Sequence, residues 1–109
     1  MEGFIKGDIV VVPFPFSDLT GKRRRPALVI TNLKGDDLIL CQITATRSDQ
    51  YSISLTDTDF KKGSLKRDSF IRPNRIFTAD IHIIIRKVGN IKKEKIREVI
   101  DRIIQIIKL

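Results

Sequence analysis

The chain has 109 residues, of which 41% are hydrophobic and 31% charged. This balance predicts a single globular domain over residues 1–109 and excludes a disordered polyelectrolyte. Lysines and arginines number 21 against 13 acidic residues, so the net charge is +8. Such an excess favours a polyanion or an acidic protein as partner, although composition alone is equally consistent with a basic surface that only maintains solubility.

The first twelve residues contain a short apolar run that Lys6 and Asp8 interrupt. This run is too short and too polar for a secretion signal or a membrane span. We therefore expect a cytoplasmic protein that makes no membrane contact.

The N-terminal half predicts three short strands. Apolar side chains alternate from Val10 to Phe16, and Pro13 must end that strand or place it at an edge. Residues 17–25 follow as a loop with a basic end. Residues 27–31 and 38–45 are the next two strands, separated by a glycine-containing turn.

The second half predicts three more strands and several polar connections. Residues 51–55, 68–72 and 82–88 have strand patterns, residues 57–67 form a charged loop, and Pro73-Asn74 marks a bend.

The last part of the chain changes to a helical period. After a predicted turn at Gly89-Asn90, apolar residues from position 92 onwards recur at steps of three and four. They are Ile96, Val99, Ile100, Ile103, Ile106 and Ile107. We predict a mainly β domain with one C-terminal amphipathic helix packed across the sheet or barrel.

The single cysteine and the single histidine predict structural roles. Cys41 lies in an apolar run and suits a buried core thiol, and His82 lies among isoleucines and suits a strand. No carboxylate cluster with metal-ligand spacing is evident, and Asp57 and Asp59 suit a solvated loop. We therefore expect no metal site and no cofactor.

Several short motifs follow one another in order along the chain. They are Gly7-Asp8-Ile9-Val10, Pro13-Phe14-Pro15-Phe16-Ser17-Asp18, Arg25-Pro26-Ala27-Leu28-Val29-Ile30, Ile43-Thr44-Ala45, Arg67-Asp68-Ser69 and Ile76-Phe77-Thr78-Ala79-Asp80. In this order and spacing the chain resembles the MazF/PemK family of type II toxin–antitoxin endoribonuclease toxins. The resemblance implies a small SH3-like barrel of the CcdB/PemK type, with about five to seven short strands and the C-terminal helix. It also implies a homodimer that cleaves single-stranded RNA and is neutralised by a cognate acidic antitoxin, whose tail occupies the RNA groove.

The resemblance places catalysis at Arg25 and Thr44. RNA cleavage by its own 2′-hydroxyl needs groups that neutralise the phosphate and move protons, and it needs no protein nucleophile. Arg25 suits the phosphate because its planar guanidinium donates bidentate hydrogen bonds and stays charged. Thr44 suits a hydrogen bond to a phosphoryl oxygen. Without the resemblance, the residues themselves favour a solvated arginine and an ordinary strand threonine.

A wider set of residues is expected to bind RNA. They are Lys22, Arg23, Arg24, Arg67, Ser69, Arg72 and Asn74. The chain departs from some PemK-like members at Asn74, where they carry an aspartate that serves as a base, and it lacks the histidine of their loop before Arg-Pro. An amide cannot take up the proton, so the general base is unassigned.

Two other functions fit a barrel of this kind. One is a non-catalytic toxin that poisons gyrase, and the other is an RNA-binding barrel without activity, which Asn74 motivates. We also expect the Phe14–Phe16 region to contribute to a dimer interface, because the apolar run there leaves hydrophobic surface uncovered.

Overall fold

The computed structural model describes residues 3–13, 23–47 and 49–109. These ranges form seven β-strands, two 3-10 turns (Asp57–Asp59 and Ile81–Ile83) and one α-helix. The strands and the helix are β1 Asp8–Pro13, β2 Arg24–Asn32, β3 Asp37–Thr44, β4 Ile53–Leu55, β5 Phe60–Gly63, β6 Ser69–Asp80, β7 Arg86–Ile91 and α1 Lys93–Ile107.

The seven strands form one sheet in the order β4-β6-β3-β2-β1-β7-β5. Every neighbouring pair is antiparallel, and the sheet curls into a half-barrel. The predicted mainly β class with one C-terminal helix is therefore confirmed. The interval 14–22 and the proposed Phe14–Phe16 interface lie outside the described residues.

Alternation along the central strands produces two hydrophobic clusters. Ile9, Leu28 and Cys41 belong to the first cluster, which also includes Val99 and Ile103 of α1. The second cluster consists of Val10, Val12, Ala27, Val29, Leu38, Leu40 and Ala79, and it includes the sequence neighbours of Ile9, Leu28 and Cys41. Because side chains alternate across a strand, the two clusters lie on opposite faces of the sheet.

Cys41 is fully buried in the first cluster, as the sequence predicted. Burial raises the pKa of its thiol to about 12, because the apolar surroundings disfavour the thiolate. Cys41 is thus a core residue and a poor nucleophile.

Asp8, in the first motif, is a buried structural anchor that is only 1% exposed. Its carboxylate accepts hydrogen bonds of 2.9 Å from the Ile5 backbone N–H and from Asn90 Nδ2, and Lys87 Nζ lies 3.6 Å away. These contacts join the start of β1 to β7 and neutralise a charge that burial would otherwise disfavour.

The prediction of one continuous loop over residues 57–67 was wrong, because β5 lies within it. Gly63 ends β5 with φ at +78°, and a Cβ there would lie 2.1 Å from the Val88 carbonyl oxygen. Only glycine permits this conformation and this close approach to β7. The predicted turn at Gly89-Asn90 was also wrong, since both residues belong to β7.

The predicted bend at Pro73-Asn74 is a bulge inside the long strand β6. Gln42 pairs with Arg72, whereas the preceding Cys41 pairs with Ile76, so residues 73–75 are extra in β6. Proline cannot donate to the ladder, and a bulge accommodates it without ending the strand.

The prediction of a strand at residues 82–85 with His82 in the sheet was wrong. His82 lies in the 3-10 turn Ile81–Ile83, and its side chain is 70% exposed. Its backbone N–H and Nδ1 both contact the Asp80 carboxylate, which caps the turn. The isoleucines at 81 and 83–85 favour a strand by propensity. The Asp80 cap instead starts a 3-10 turn at Ile81, so strand β6 ends at Asp80.

Candidate nucleic-acid interface

The two residues assigned to catalysis lie across from each other on neighbouring strands. Ala27 of β2 pairs with Gln42 of β3. Continuing this antiparallel register by two residues brings Arg25 opposite Thr44, at one end of the sheet. Residues that pair across antiparallel strands share a face, so the two side chains belong to the same face of the sheet.

Arg25 and Thr44 line a common cavity of about 290 Å³. Among the described residues its lining is Arg23, Arg24, Arg25, Pro26, Ile43, Thr44, Ala45, Leu65, Arg67 and Ser69. Four of these residues are arginines, and none carries a carboxylate. Six of the predicted site residues are therefore brought together from three separate parts of the sequence.

A second cavity, of about 350 Å³, continues the first. The two share Arg24, Arg25, Pro26 and Leu65, and the second adds Lys66 and Arg86. We call the combined surface the basic cleft, defined by Arg23, Arg24, Arg25, Lys66, Arg67 and Arg86. Within the described ranges none of these six cations forms an ion pair with a carboxylate.

The loop after β5 is held in a defined conformation beside the basic cleft. Ser64 Oγ accepts a hydrogen bond of 2.9 Å from the Lys66 N–H and donates one of 2.8 Å to Asp57. Lys66 has φ at +67°, a left-handed conformation that is uncommon for a residue with a Cβ. These bonds stabilise that conformation at the cleft wall.

Arg25 has an unsatisfied donor inside the basic cleft. Its Nε is buried, and no acceptor in the described part of the chain lies within hydrogen-bonding distance. A buried donor without a partner costs free energy of about 1 to 3 kcal/mol. Arg25 also lines the cavity, where its guanidinium is suited to bind an anion.

Thr44 and Ser69 differ in the hydrogen bonds that their hydroxyls make. Thr44 Oγ1 accepts a long bond of 3.4 Å from the Thr46 N–H, which leaves its own proton free to donate. Ser69 is only 4% exposed and donates to the Arg67 carbonyl oxygen at 3.2 Å. Ser69 thus stabilises the backbone at Arg67, and its proton is already committed.

The predicted residues Arg72 and Asn74 form a separate cluster around a carboxylate that the sequence did not single out. Asp49 Oδ2 lies 3.0 Å from Asn74 Nδ2 and 3.4 Å from Arg72 Nη2. Asp49 Oδ1 accepts a bond of 2.9 Å from the Tyr51 N–H. The hydrogen bond from Asn74 is the largest cause that lowers the pKa of Asp49, followed by the Tyr51 N–H and Arg72.

This cluster lies on the same face of the sheet as Arg25 and Thr44. Gln42 pairs with Ala27 on one side and with Arg72 on the other, so the face continues from β2 across β3 to β6. Neither Arg72 nor Asn74 lines the basic cleft. Lys22, the remaining predicted RNA contact, lies outside the described residues.

Three residues of this surface were not on the predicted list. Lys66 was recognised only as part of a charged loop, and Arg86 gave no signal because it approaches the cleft from a different strand. Asp49 gave none either, since it is 23 residues from Arg72 in sequence.

Two further features lie away from the basic cleft. A largely apolar cavity of about 460 Å³ lies between α1 and the β7 region, with Ile5, Ile91, Ile96 and Ile100 in its lining. Exposed Asp36, Asp80 and His82 offer ligand atoms within 4.8 Å of one another. This group corrects the expectation that no carboxylates cluster near the histidine. It lies at the opposite end of the β3-β6 pair from Thr44.

Residues 5–107 match a family model described as the PemK-like, MazF-like toxins of type II toxin–antitoxin systems. The chain belongs to this family. No protein of curated function matches the sequence significantly.

Solved structures of toxins share the fold at low sequence identity. An endoribonuclease in complex with its cognate antitoxin, from a mycobacterial species, aligns with a TM-score of 0.78 and 12% identity over 98% of this chain and 97% of that one. The MazE-MazF structure from Deinococcus radiodurans gives 0.75 and 15%, with coverage of 98% and 97%. Toxin MazF-mt6 of Mycobacterium tuberculosis gives 0.71 and 14%, with coverage of 94% and 97%.

Within the described ranges, neither α1 nor any other helix has the length and apolar character that a membrane crossing needs.

Proposed function

We propose that this toxin is a metal-independent endoribonuclease that cleaves single-stranded RNA by attack of a 2′-hydroxyl on the adjacent phosphate. The observation that carries the proposal is the basic cleft, in which Arg25 and Thr44 share a cavity with three other arginines, and no described residue lines it with a carboxylate. The fold supports it, since a structural neighbour is an endoribonuclease solved with its antitoxin.

The charge of the basic cleft suits the RNA backbone. Six cationic side chains that have no carboxylate partner among the described residues attract a polyanion and repel a divalent cation. The cleft can therefore supply by itself the positive charge that a metal ion provides in other nucleases.

In the proposed mechanism, Arg25 neutralises the phosphate under attack. Negative charge grows on the phosphoryl oxygens as the 2′-hydroxyl adds, so a preorganised guanidinium binds the transition state more tightly than the ground state. No described carboxylate pairs with this guanidinium, so no anion of the described residues has to be displaced first. Arg25 acts electrostatically, because a guanidinium donates hydrogen bonds and has no acceptor with which to take up a proton.

Thr44 and Arg67 assist from the other walls of the same cavity. The free proton of the Thr44 hydroxyl donates to a second phosphoryl oxygen, and Arg67 contacts the backbone of the bound RNA. Arg23 and Arg24 make further backbone contacts. Single-stranded RNA is the substrate class, since its bases are free to turn away while the cleft follows the phosphates.

Two protein partners complete the proposal. A cognate acidic antitoxin neutralises the toxin by placing carboxylates along the basic cleft, where they compete with RNA. The toxin forms a homodimer in the cytoplasm, supported by exposed large apolar side chains such as Ile104 at 44% and Ile107 at 70%. A monomer in sedimentation at micromolar concentration would contradict the dimer.

An incubation of the purified protein with mixed-sequence single-stranded RNA in EDTA tests the activity. We expect discrete fragments, because the cleft needs no divalent cation. RNA binding without fragments would instead support a non-catalytic RNA-binding barrel. No RNA binding combined with inhibition of gyrase would support a gyrase-poisoning toxin.

A further inference from the structure

The carboxylate of Asp49 satisfies donors from two residues that were expected to bind RNA. Arg72 contributes Nη2 at 3.4 Å and Asn74 contributes Nδ2 at 3.0 Å, both to Oδ2 of Asp49. A guanidinium and an amide are also the donors that hold a phosphodiester oxygen. Asp49 therefore stands at the place where a backbone phosphate would bind.

This cluster is within reach of an RNA strand that occupies the basic cleft. Arg25 on β2 and Arg72 on β6 share a face and are separated by one strand, β3. Two inter-strand spacings and a two-residue offset put their Cα atoms about 12 Å apart. An RNA strand that crosses β3 from Arg25 would arrive at Arg72.

We propose that Asp49 is an internal competitor of the RNA backbone, which must leave Arg72 and Asn74 before a phosphate binds there. The inference rests on the proposed RNA-binding function of this face. It makes the Arg72 cluster a phosphodiester subsite whose affinity is set by a carboxylate of the protein itself.

The contacts of Asp49 favour competition over acid–base catalysis. Both oxygens already accept hydrogen bonds, and the pKa of the carboxyl is held below its usual range, so Asp49 stays ionised and is a poor base. The ion pair is also a single contact of 3.4 Å through one nitrogen of Arg72, so a phosphate can replace the carboxylate without breaking a bidentate pair.

Asp49→Asn tests the proposal by removing the charge and keeping the shape. The amide oxygen can replace Oδ1 and still accept from the Tyr51 N–H, so the local backbone keeps its support. The amide nitrogen replaces Oδ2 and cannot accept, so the donors of Asn74 and Arg72 are released. We expect a fluorescein-labelled 2′-O-methyl oligonucleotide of random sequence to bind about three- to tenfold more tightly in fluorescence anisotropy. The logarithmic salt slope should become steeper by about 0.7, as for one added phosphate contact.

Two controls separate competition from a general charge effect. Asp101→Asn removes the same charge from the exposed side of α1 and should change affinity by less than about twofold, since salt screens distant charges. In an Arg72→Ala background, Asp49→Asn should change affinity by less than about twofold, because the cation of the subsite is gone.

The outcomes distinguish this inference from the proposed function. Tighter binding that depends on Arg72 supports it. Unchanged or weaker binding by a folded Asp49→Asn protein, or a gain that persists without Arg72, would overturn this inference alone. Failure of the unaltered protein to bind the oligonucleotide would overturn both.

Discussion

Arg25 and Arg72 share one face of the sheet and differ in what surrounds them. Each has a buried Nε without a partner among the described residues. Arg25 lines a cavity to which the described chain contributes three other arginines and no carboxylate, whereas the Nη2 of Arg72 contacts Asp49. No described carboxylate therefore compensates the positive charge of Arg25, whereas that of Arg72 is partly neutralised.

The surroundings of the two arginines favour a catalytic role for Arg25 and a binding role for Arg72. An uncompensated guanidinium in a cleft stabilises a transition state most strongly, because it is preorganised and no other anion must be displaced first. A guanidinium already paired with a carboxylate has to exchange one anion for another, so its net gain is small. Substitutions at the two arginines should therefore have different effects.

The largest expected effect is that of Arg25→Ala on the cleavage rate. Loss of a preorganised donor to a developing oxyanion lowers the rate by about 10² to 10³. Cleavage should be measured at saturating RNA, with Arg23→Ala as the matched control. That control removes the same charge from the same cavity, so it should weaken binding modestly and leave the saturated rate nearly unchanged. Equal saturated rates for the Arg25→Ala and Arg23→Ala variants would contradict a catalytic role of Arg25 and would favour the Arg72 cluster instead.

Thr44→Val should have the next largest effect, about ten- to hundredfold on the saturated rate. Valine keeps the shape of threonine and removes only the hydroxyl, whose hydrogen bond to a charged oxygen contributes about 1.5 to 3 kcal/mol. Thr46→Val is the control, since its side chain is exposed and its backbone N–H donates to Thr44 in either case. An effect on binding alone would exclude Thr44 from the transition state.

The smallest effects concern the salt dependence of binding to single-stranded RNA. Four phosphate contacts would give a logarithmic slope of roughly −3, and Arg67→Ala should reduce its magnitude by about 0.7. Arg72→Ala should reduce it by less, because Asp49 already compensates part of that charge. Equal reductions at the two positions would remove the distinction between the cleft and the cluster. A slope near zero for the unaltered protein would show that the basic side chains face solvent.

The sequence predicted most elements of the fold, and its errors have local causes. The two-residue alternation in β1, β2 and β3 and the three- and four-residue period of α1 are strong signals. β5 was missed because Phe60–Gly63 has one buried side chain and a charged outer face, and it becomes a strand by pairing with β7. His82 was misplaced because β-propensity is weaker than the Asp80 cap.

The candidate site was partly predictable, because the motifs that point to it are short and local in sequence. The rest was not, because the basic cleft is assembled from segments that are distant in sequence. The Arg25-Pro26 and Ile43-Thr44-Ala45 motifs identified two residues that the β2-β3 register then brings together. Asp49 and Arg86 reach this face from other parts of the chain. Periodicity and spacing carry no information on such long-range pairs.

The chemistry of the fragment ends tests the central claim most directly. If the RNA supplies its own nucleophile, each cleavage in EDTA should leave a 2′,3′-cyclic phosphate on one fragment and a 5′-hydroxyl on the other. Mass spectrometry of the fragments should show both ends, and an oligonucleotide with 2′-O-methyl groups throughout should remain intact. Cleavage of that oligonucleotide, or fragments with 5′-phosphate ends, would contradict the account.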